Sequence, residues 1–323
     1  MFKNLAKKCI RSKPVQALLA ADIVFNQACK NSVVILLYHD VSEHPGEFSR
    51  IYNLNVPPNV FDQQIKILSK LFNVITPQQL IAGEYETPAA LITFDDGMVG
   101  YFENAVPIMK LYQCPSTVFL NMGPVNGDIF WAGLVTYLCE YDQRFLEALI
   151  DYYKGAVPKP HHLYCARQMV EEYLAENDQN SIYQAARNFY GGFATRQHLD
   201  SVDNDELVYF GNHLYNHYNA TMLFDNELKE SYLKNRDELL QFNNSVELFS
   251  YPFGQPGSCY NQNTDSLISD CGSQKLFTAK PAVNSDMTRN IMHRIPLIGD
   301  MCFEQDIKSV VSYWKLRRFI DRD

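Results

Sequence analysis

Short apolar runs that read as buried strands recur along this chain, and helical stretches separate them. The runs fall at residues 33–37, 91–94, 116–120, 208–211, 246–251, 276–279 and 294–297. Each is short, rich in β-branched or aromatic residues and bounded by turn-forming residues, as buried strands are. Between the first two, Val60, Phe61, Ile65, Ile67, Leu68 and Leu71 recur at near-helical spacing. Thr76-Pro77 then reads as an N-cap followed by a first helical residue. Ala105, Ile108, Met109 and Tyr112 predict the next helix. Strand and helix in alternation is the pattern of parallel βα units, and about seven strands is close to a βα barrel.

The rhythm breaks between about residues 127 and 200. Phe145, Leu146, Leu149 and Ile150, then Met169, Val170, Tyr173 and Leu174, then Tyr183, Ala186 and Phe189 are patterned as helices. This reads as a helical insertion, either covering a cleft or thickening one side of the domain. After the fourth strand, Asp225 or Asn226 is expected to cap a helix reaching about Phe242, and residues 303–319 read as a closing helix.

At 323 residues, with 46% hydrophobic and 20% charged residues, the chain can bury a sizeable core. A formal net charge of -9 argues against a general nucleic-acid binder, because no broad cationic face is available for phosphates. The eight cysteines are scattered with no Cys-x-x-Cys pair, which suggests neither a zinc-thiolate site nor a disulfide framework and favours a reducing, cytoplasmic setting. No stretch reaches the roughly 18 to 20 consecutive apolar residues of a membrane span. Lys3, Lys7, Lys8, Arg11 and Lys13 precede an apolar section that Gln16 and Asp22 interrupt. Residues 1–30 therefore read as a basic amphipathic helix, resting on the barrel or on an anionic membrane surface, in preference to an export leader.

Three of the strand runs end in groups that can do chemistry. The run at 91–94 ends in Asp95-Asp96-Gly97, two carboxylates too close to be buried as bare anions unless one holds a proton or a cation shares their site. Alone, Asp-Asp-Gly is also a common turn before a helix. His213 and His217 follow the fourth run at a spacing that brings two imidazoles onto one face of a helix or tight turn. Such a pair is often unmetallated, but two strand-end loops converging on one point are more specific than either alone. Asp96, His213 and His217 would bind one divalent ion, leaving a position open for water and substrate. Asp95 is then placed as general base, and His39, after the first strand, as the acid that protonates the leaving group. Peptide N–H groups of Phe253 and Gly254 are candidates to steady an oxyanion, with Tyr251 and Arg294 beside them on the substrate side.

Thr93 to Gly97, Gly211-Asn212-His213 through His217, and Ser250-Tyr251-Pro252-Phe253-Gly254 resemble the first three motifs of the polysaccharide deacetylases, carbohydrate esterase family 4. The resemblance covers about residues 33–297 apart from the insertion. It implies a distorted (β/α)7 barrel and hydrolysis of N-acetyl or O-acetyl groups on glycans. It also implies a bound divalent metal, zinc first, with cobalt, nickel or iron(II) as alternatives. In motif order the chain is most similar to the poly-N-acetylglucosamine deacetylases, where the acid histidine comes first, as in Tyr38-His39-Asp40-Val41; His293 is the competing acid. Three departures stand out. Leu214 occupies a position usually held by Ser or Thr, no Leu-x-His motif occurs late in the chain, and Ser250 stands where the third motif usually has an arginine, leaving the pairing of Asp95 open to Arg294. The expectation is a metal-dependent deacetylase acting on an acetylated sugar or glycan. The alternatives are a catalytically silent glycan-binding barrel, or the same chemistry on a nucleotide-linked or lipid-linked sugar or a cyclic imide.

Overall fold

The computed structural model of the chain describes residues 13–155 and 167–320. Its frame is a parallel sheet of β1 (Val33–Tyr38), β2 (Ala89–Phe94), β3 (Ser116–Leu120), β4 (Val208–Asn212), β5 (Ser245–Ser250), β6 (Lys275–Thr278), β7 (Ile291–His293) and β8 (Ile295–Pro296). The strands lie in the order β7-β6-β5-β4-β3-β2-β1-β8. Only Arg294 separates β7 from β8. That one stretch pairs with β6 through its first half and with β1 through its second, at Leu36–Ile295 and Leu37–Pro296. The two sheet edges therefore meet in a single seventh stave, giving the distorted (β/α)7 barrel.

Alternation along each strand sorts the side chains into two layers, since successive residues face opposite sides of a sheet. Val33, Ile35, Ala89, Leu91, Phe119, Leu248, Phe277 and Met292 fill the barrel interior. Val34, Leu36, Tyr38, Ile92, Phe94, Val118 and Phe210 face outward, under helices that contribute Phe61, Ile65, Leu68 and Met109. Each such fully buried side chain is worth roughly 1.5–3 kcal/mol, so every strand is held from both faces.

Helices Pro58–Leu71, Pro77–Ala82, Val106–Leu111, Asp225–Leu239, Gln262–Asp270 and Glu304–Ile320 lie around the sheet. Thr76 caps its helix as expected, exchanging hydrogen bonds with Gln79 in a capping box. The helix expected from an Asp225 or Asn226 cap instead has Asp225 as its first residue, and it ends at Leu239. Its start is held from inside, because the Glu227 carboxylate accepts from the Phe224 N–H at 3.0 Å.

Lys13–Leu19 and Asp22–Cys29 form two helices rather than one, broken where Ala21 is extended. Both rest on the closing helix: Gln16 donates to Asp306, and Lys308 pairs with Asp22. Lys3, Lys7, Lys8 and Arg11 lie outside the described residues. No helix among the described residues is long and apolar enough to cross a membrane, and no cysteine among them is paired.

The insertion contains helices Trp131–Tyr141, Gln143–Tyr152, Arg167–Ala175 and Gln179–Tyr190. They enclose a core of their own, with Leu134, Leu138, Phe145, Leu149, Val170, Leu174 and Phe189. Through Phe130 the same cluster reaches the barrel rim, where that ring lies 5.2 Å from the ring of His217.

Candidate active site

Every expected polar group comes from the carboxyl end of the staves or is aimed at it. β1 and β2 pair at Tyr38–Phe94, which sets His39 level with Asp95 on neighbouring strands. Asp95 continues the inward series of Ala89 and Leu91, and Ser250 continues that of Leu248, so both point into the barrel mouth. Gly97 makes the exit from β2 possible. Its φ is +83°, and a Cβ there would lie 2.7 Å from Leu120 Cδ2.

Arg294 stands at the join of β7 and β8 and is completely buried. Its two terminal nitrogens donate to the two oxygens of Asp95 at 2.6 Å each, and one also donates to Ser250 Oγ at 2.8 Å. Nε donates to the Thr278 carbonyl. The Ser250 hydroxyl donates to Asp95 at 3.3 Å. Burial by itself would raise the Asp95 pKa, but the Arg294 guanidinium, joined by His213 and His39, outweighs it and holds the carboxyl below its ordinary value. Ser250, small where the resemblance expects an arginine, leaves room for this guanidinium to arrive from the closing stave.

With Asp95 neutralised, Asp96 is left as the uncompensated carboxylate. Its Oδ1 lies 3.3 Å from His213 Nε2 and 3.1 Å from His217 Nε2, yet it is buried without a hydrogen bond. His213 Nδ1 lies 2.7 Å from the Ser250 carbonyl. A carbonyl only accepts, so the proton sits on Nδ1 and Nε2 presents a lone pair toward Asp96. A carboxylate facing an imidazole lone pair is repulsive unless a proton or a cation lies between them. The three ligand atoms lie within 4.8 Å of one another. One oxygen and two imidazole nitrogens are a donor set for zinc and similar divalent ions, so the residues fit a metal. Burial opposes ionisation of Asp96, and a proton carried by the facing imidazoles, in the place a cation would take, pulls its pKa well below the usual range.

The histidine pair sits on a loop and not on a helix. Leu214 and His217 take left-handed φ values of 60° and 58°, as do Asp96 at 73° and Phe253 at 60°. Such backbone costs non-glycine residues roughly 1–2 kcal/mol each, and here four cases gather around one site. Phe253 closes the far side of His217, with ring centroids 4.7 Å apart.

His39 is partly exposed at the rim. Burial lowers its pKa, against the pull of Asp96 and Asp95. His293 precedes the inward-facing Arg294 and so points the other way, bonded through Nδ1 to Thr278 Oγ1 at 3.0 Å. Tyr251, expected on the substrate side, is also turned out. It follows inward-facing Ser250, joins the outer cluster of Phe249 and Leu276, and donates to Asp265 at 2.7 Å. Gly254 does not offer its N–H to the site either, because a tight turn bonds it to the Pro252 carbonyl at 2.7 Å. Asn121 is a buried participant that the sequence reading passed over. Its place one residue past a strand, like His39, Asp95 and His213, was the available signal.

No protein-family model matches the chain. Over 92 residues it is 30% identical to YxkH of Bacillus subtilis (strain 168), whose description places it among the polysaccharide deacetylases; the match covers 27% of this chain and 30% of that relative. Among solved structures, the deacetylase PplD of Streptococcus pyogenes, in complex with acetate, superposes with a TM-score of 0.58 at 17% identity, over 86% of this chain and 98% of that one. IcaB from Ammonifex degensii gives 0.58 at 17%, over 87% and 97%. The fold is that of the polysaccharide deacetylases. A de-N-acetylase from Aggregatibacter actinomycetemcomitans shares it at a TM-score of 0.56 and 16% identity, over 86% of this chain and 99% of that one.

Proposed function

We propose that this chain is a metal-dependent hydrolase that removes acetyl groups from an acetylated amino sugar or glycan. The observation that carries the reading is the buried Asp96, His213 and His217 cluster standing beside an ionised Asp95 at the barrel mouth. The polysaccharide-deacetylase description of YxkH and the shared fold support the same chemistry. A divalent ion at the cluster, zinc first, supplies Lewis acidity toward a carbonyl and toward water.

The protein's own groups do the rest. Asp95 is the base that takes a proton from the attacking water, and Arg294 and Ser250 fix its carboxylate plane. His39 gives a proton to the departing amine or alcohol, so acetate and the free sugar group leave together. The Phe253 peptide lies on the loop nearest His217, where an oxyanion would need a donor. The pairing of Arg294 with Asp95 speaks against a catalytically silent glycan-binding barrel, because it keeps a base ionised where a binding site has no use for one. Peripheral contact with an anionic membrane through the basic segment that includes Lys3, Lys7, Lys8 and Arg11 belongs to the same proposal, supported by its charge.

The deciding experiment is acetate release from a panel of acetylated oligosaccharides, with nucleotide-linked and lipid-linked acetylated sugars and a cyclic imide included, with and without a chelator. Chelator-sensitive release from glycans is the expected result. A metal-free chain that binds glycan and releases nothing would replace this reading with the binding barrel.

A further inference from the structure

The loop that carries both histidines is held from beneath by a set of buried asparagines. Asn121, one residue past β3, donates both protons of its carboxamide, to the His213 carbonyl at 2.5 Å and to the Leu214 carbonyl at 2.7 Å. With the amide turned over, its oxygen would face two acceptors, so this orientation is the chemically sensible one. The His213 N–H returns a bond to the Leu120 carbonyl, and the Gly123 N–H donates to Tyr215. At Gly123 a Cβ would fall 2.4 Å from Asn216 Oδ1 and 2.7 Å from the Tyr215 carbonyl, so the segment after β3 lies directly against the loop. Asn235, from helix Asp225–Leu239, ties the Leu120 carbonyl, Asn212 Oδ1 and the Met122 N–H together, and Asn212 Oδ1 also accepts from Leu214. Asn121 and Asn235 are fully buried.

The carbonyls that Asn121 grips belong to the two peptides that flank Leu214, a left-handed residue. Relaxing Leu214 would rotate those carbonyls and swing the His213 and His217 rings relative to each other. We infer that Asn121 is a positioning residue that sets the metal affinity of the site by locking this loop, a role that rests on the metal-binding reading above. It is not one of the three residues whose ligand atoms cluster. Groups that orient ligands in this way typically change metal affinity 10–100-fold when removed.

The test is competition for Zn²⁺ against a chromophoric chelator, together with the absorption spectrum of the Co²⁺ form, for the parent chain and for Asn121→Ala. The expected result is a Zn²⁺ affinity at least tenfold weaker and an altered Co²⁺ spectrum, with little change in the melting temperature of the metal-free chain. If Asn121→Ala does not fold, the similarly sized Asn121→Leu, which loses both donors and adds no charge, serves the same measurement. An affinity within twofold of the parent, with only the melting temperature lowered, would overturn the inference and leave the metal-binding reading intact. A parent chain that binds neither metal would overturn both.

Discussion

Arg294 grips both oxygens of Asp95 from 199 residues further along the chain, at 2.6 Å through each nitrogen. Both groups are buried, so each needs the other: removing one member of such a pair typically costs 3–5 kcal/mol, because the remaining charge is left without a partner. Arg294→Met is therefore expected to lower stability by about that amount near neutral pH. Adding Asp95→Asn to it should restore part of the loss, which thermal melts of the two variants would measure.

The same pair fixes a pH dependence. Asp95 has a pKa depressed by Arg294, so its contribution to stability is present above the ordinary carboxylate range and is lost as pH falls through the depressed value. In Arg294→Met the strongest group opposing burial is gone and only His213 and His39 still act against it, so the pKa rises. The acid limb of the rate profile should then move to higher pH, and an unmoved limb would separate the base from Asp95.

Asp95 and Asp96 are adjacent but should fail differently. Asp96→Ala or His213→Ala is expected to purify without metal by elemental analysis. Asp95→Asn should keep the metal and lose roughly 10²–10⁴-fold in kcat, the usual contribution of general base catalysis.

The two candidate acids are separated by which way their side chains face. His39→Ala is expected to lose most of the turnover, whereas His293→Ala, whose ring faces outward onto Thr278, should keep activity within a few-fold. Equal losses would return His293 to the mechanism.

Asp40 gives a prediction about stability alone. Burial raises its pKa from 3.8 to about 6. The folded chain thus binds the proton more tightly than the unfolded one, and stability falls as pH rises from about 4 to about 6. The loss is on the order of 2–3 kcal/mol, from about 1.4 kcal/mol per pKa unit. Asp40→Asn should raise the melting temperature at pH 8 and change it little at pH 4.

Much of this arrangement was legible in the residues, and the limits have physical causes. The seven staves announced themselves because strands buried on both faces must be apolar throughout. Asp95, Asp96 and His213 drew attention because they follow directly on strand runs, and His217 because of its spacing from His213. What spacing does not carry is the facing of side chains near a strand end. Tyr251 was placed on the substrate side although its neighbour Ser250 takes the inward position. Gly254 was offered as a donor although the turn at Phe253 bonds its N–H. Asn121 went unnoticed because a single asparagine has no pattern, and its importance depends on a loop 92 residues away.

The seventh stave has a consequence for how the chain comes into being. Until residues 291–296 are in place, β1 and β6 are two bare sheet edges, and bare edges recruit strands from other chains. In the same unfinished chain, the Asp95 carboxylate lacks its guanidinium. A nascent or truncated chain stopping short of Arg294 is thus both prone to aggregate and left with an unpaired carboxylate at Asp95, and the last few strand residues cure the two defects together. An Asp95 carboxylate held at both oxygens would then report that the chain has been made to its final stave.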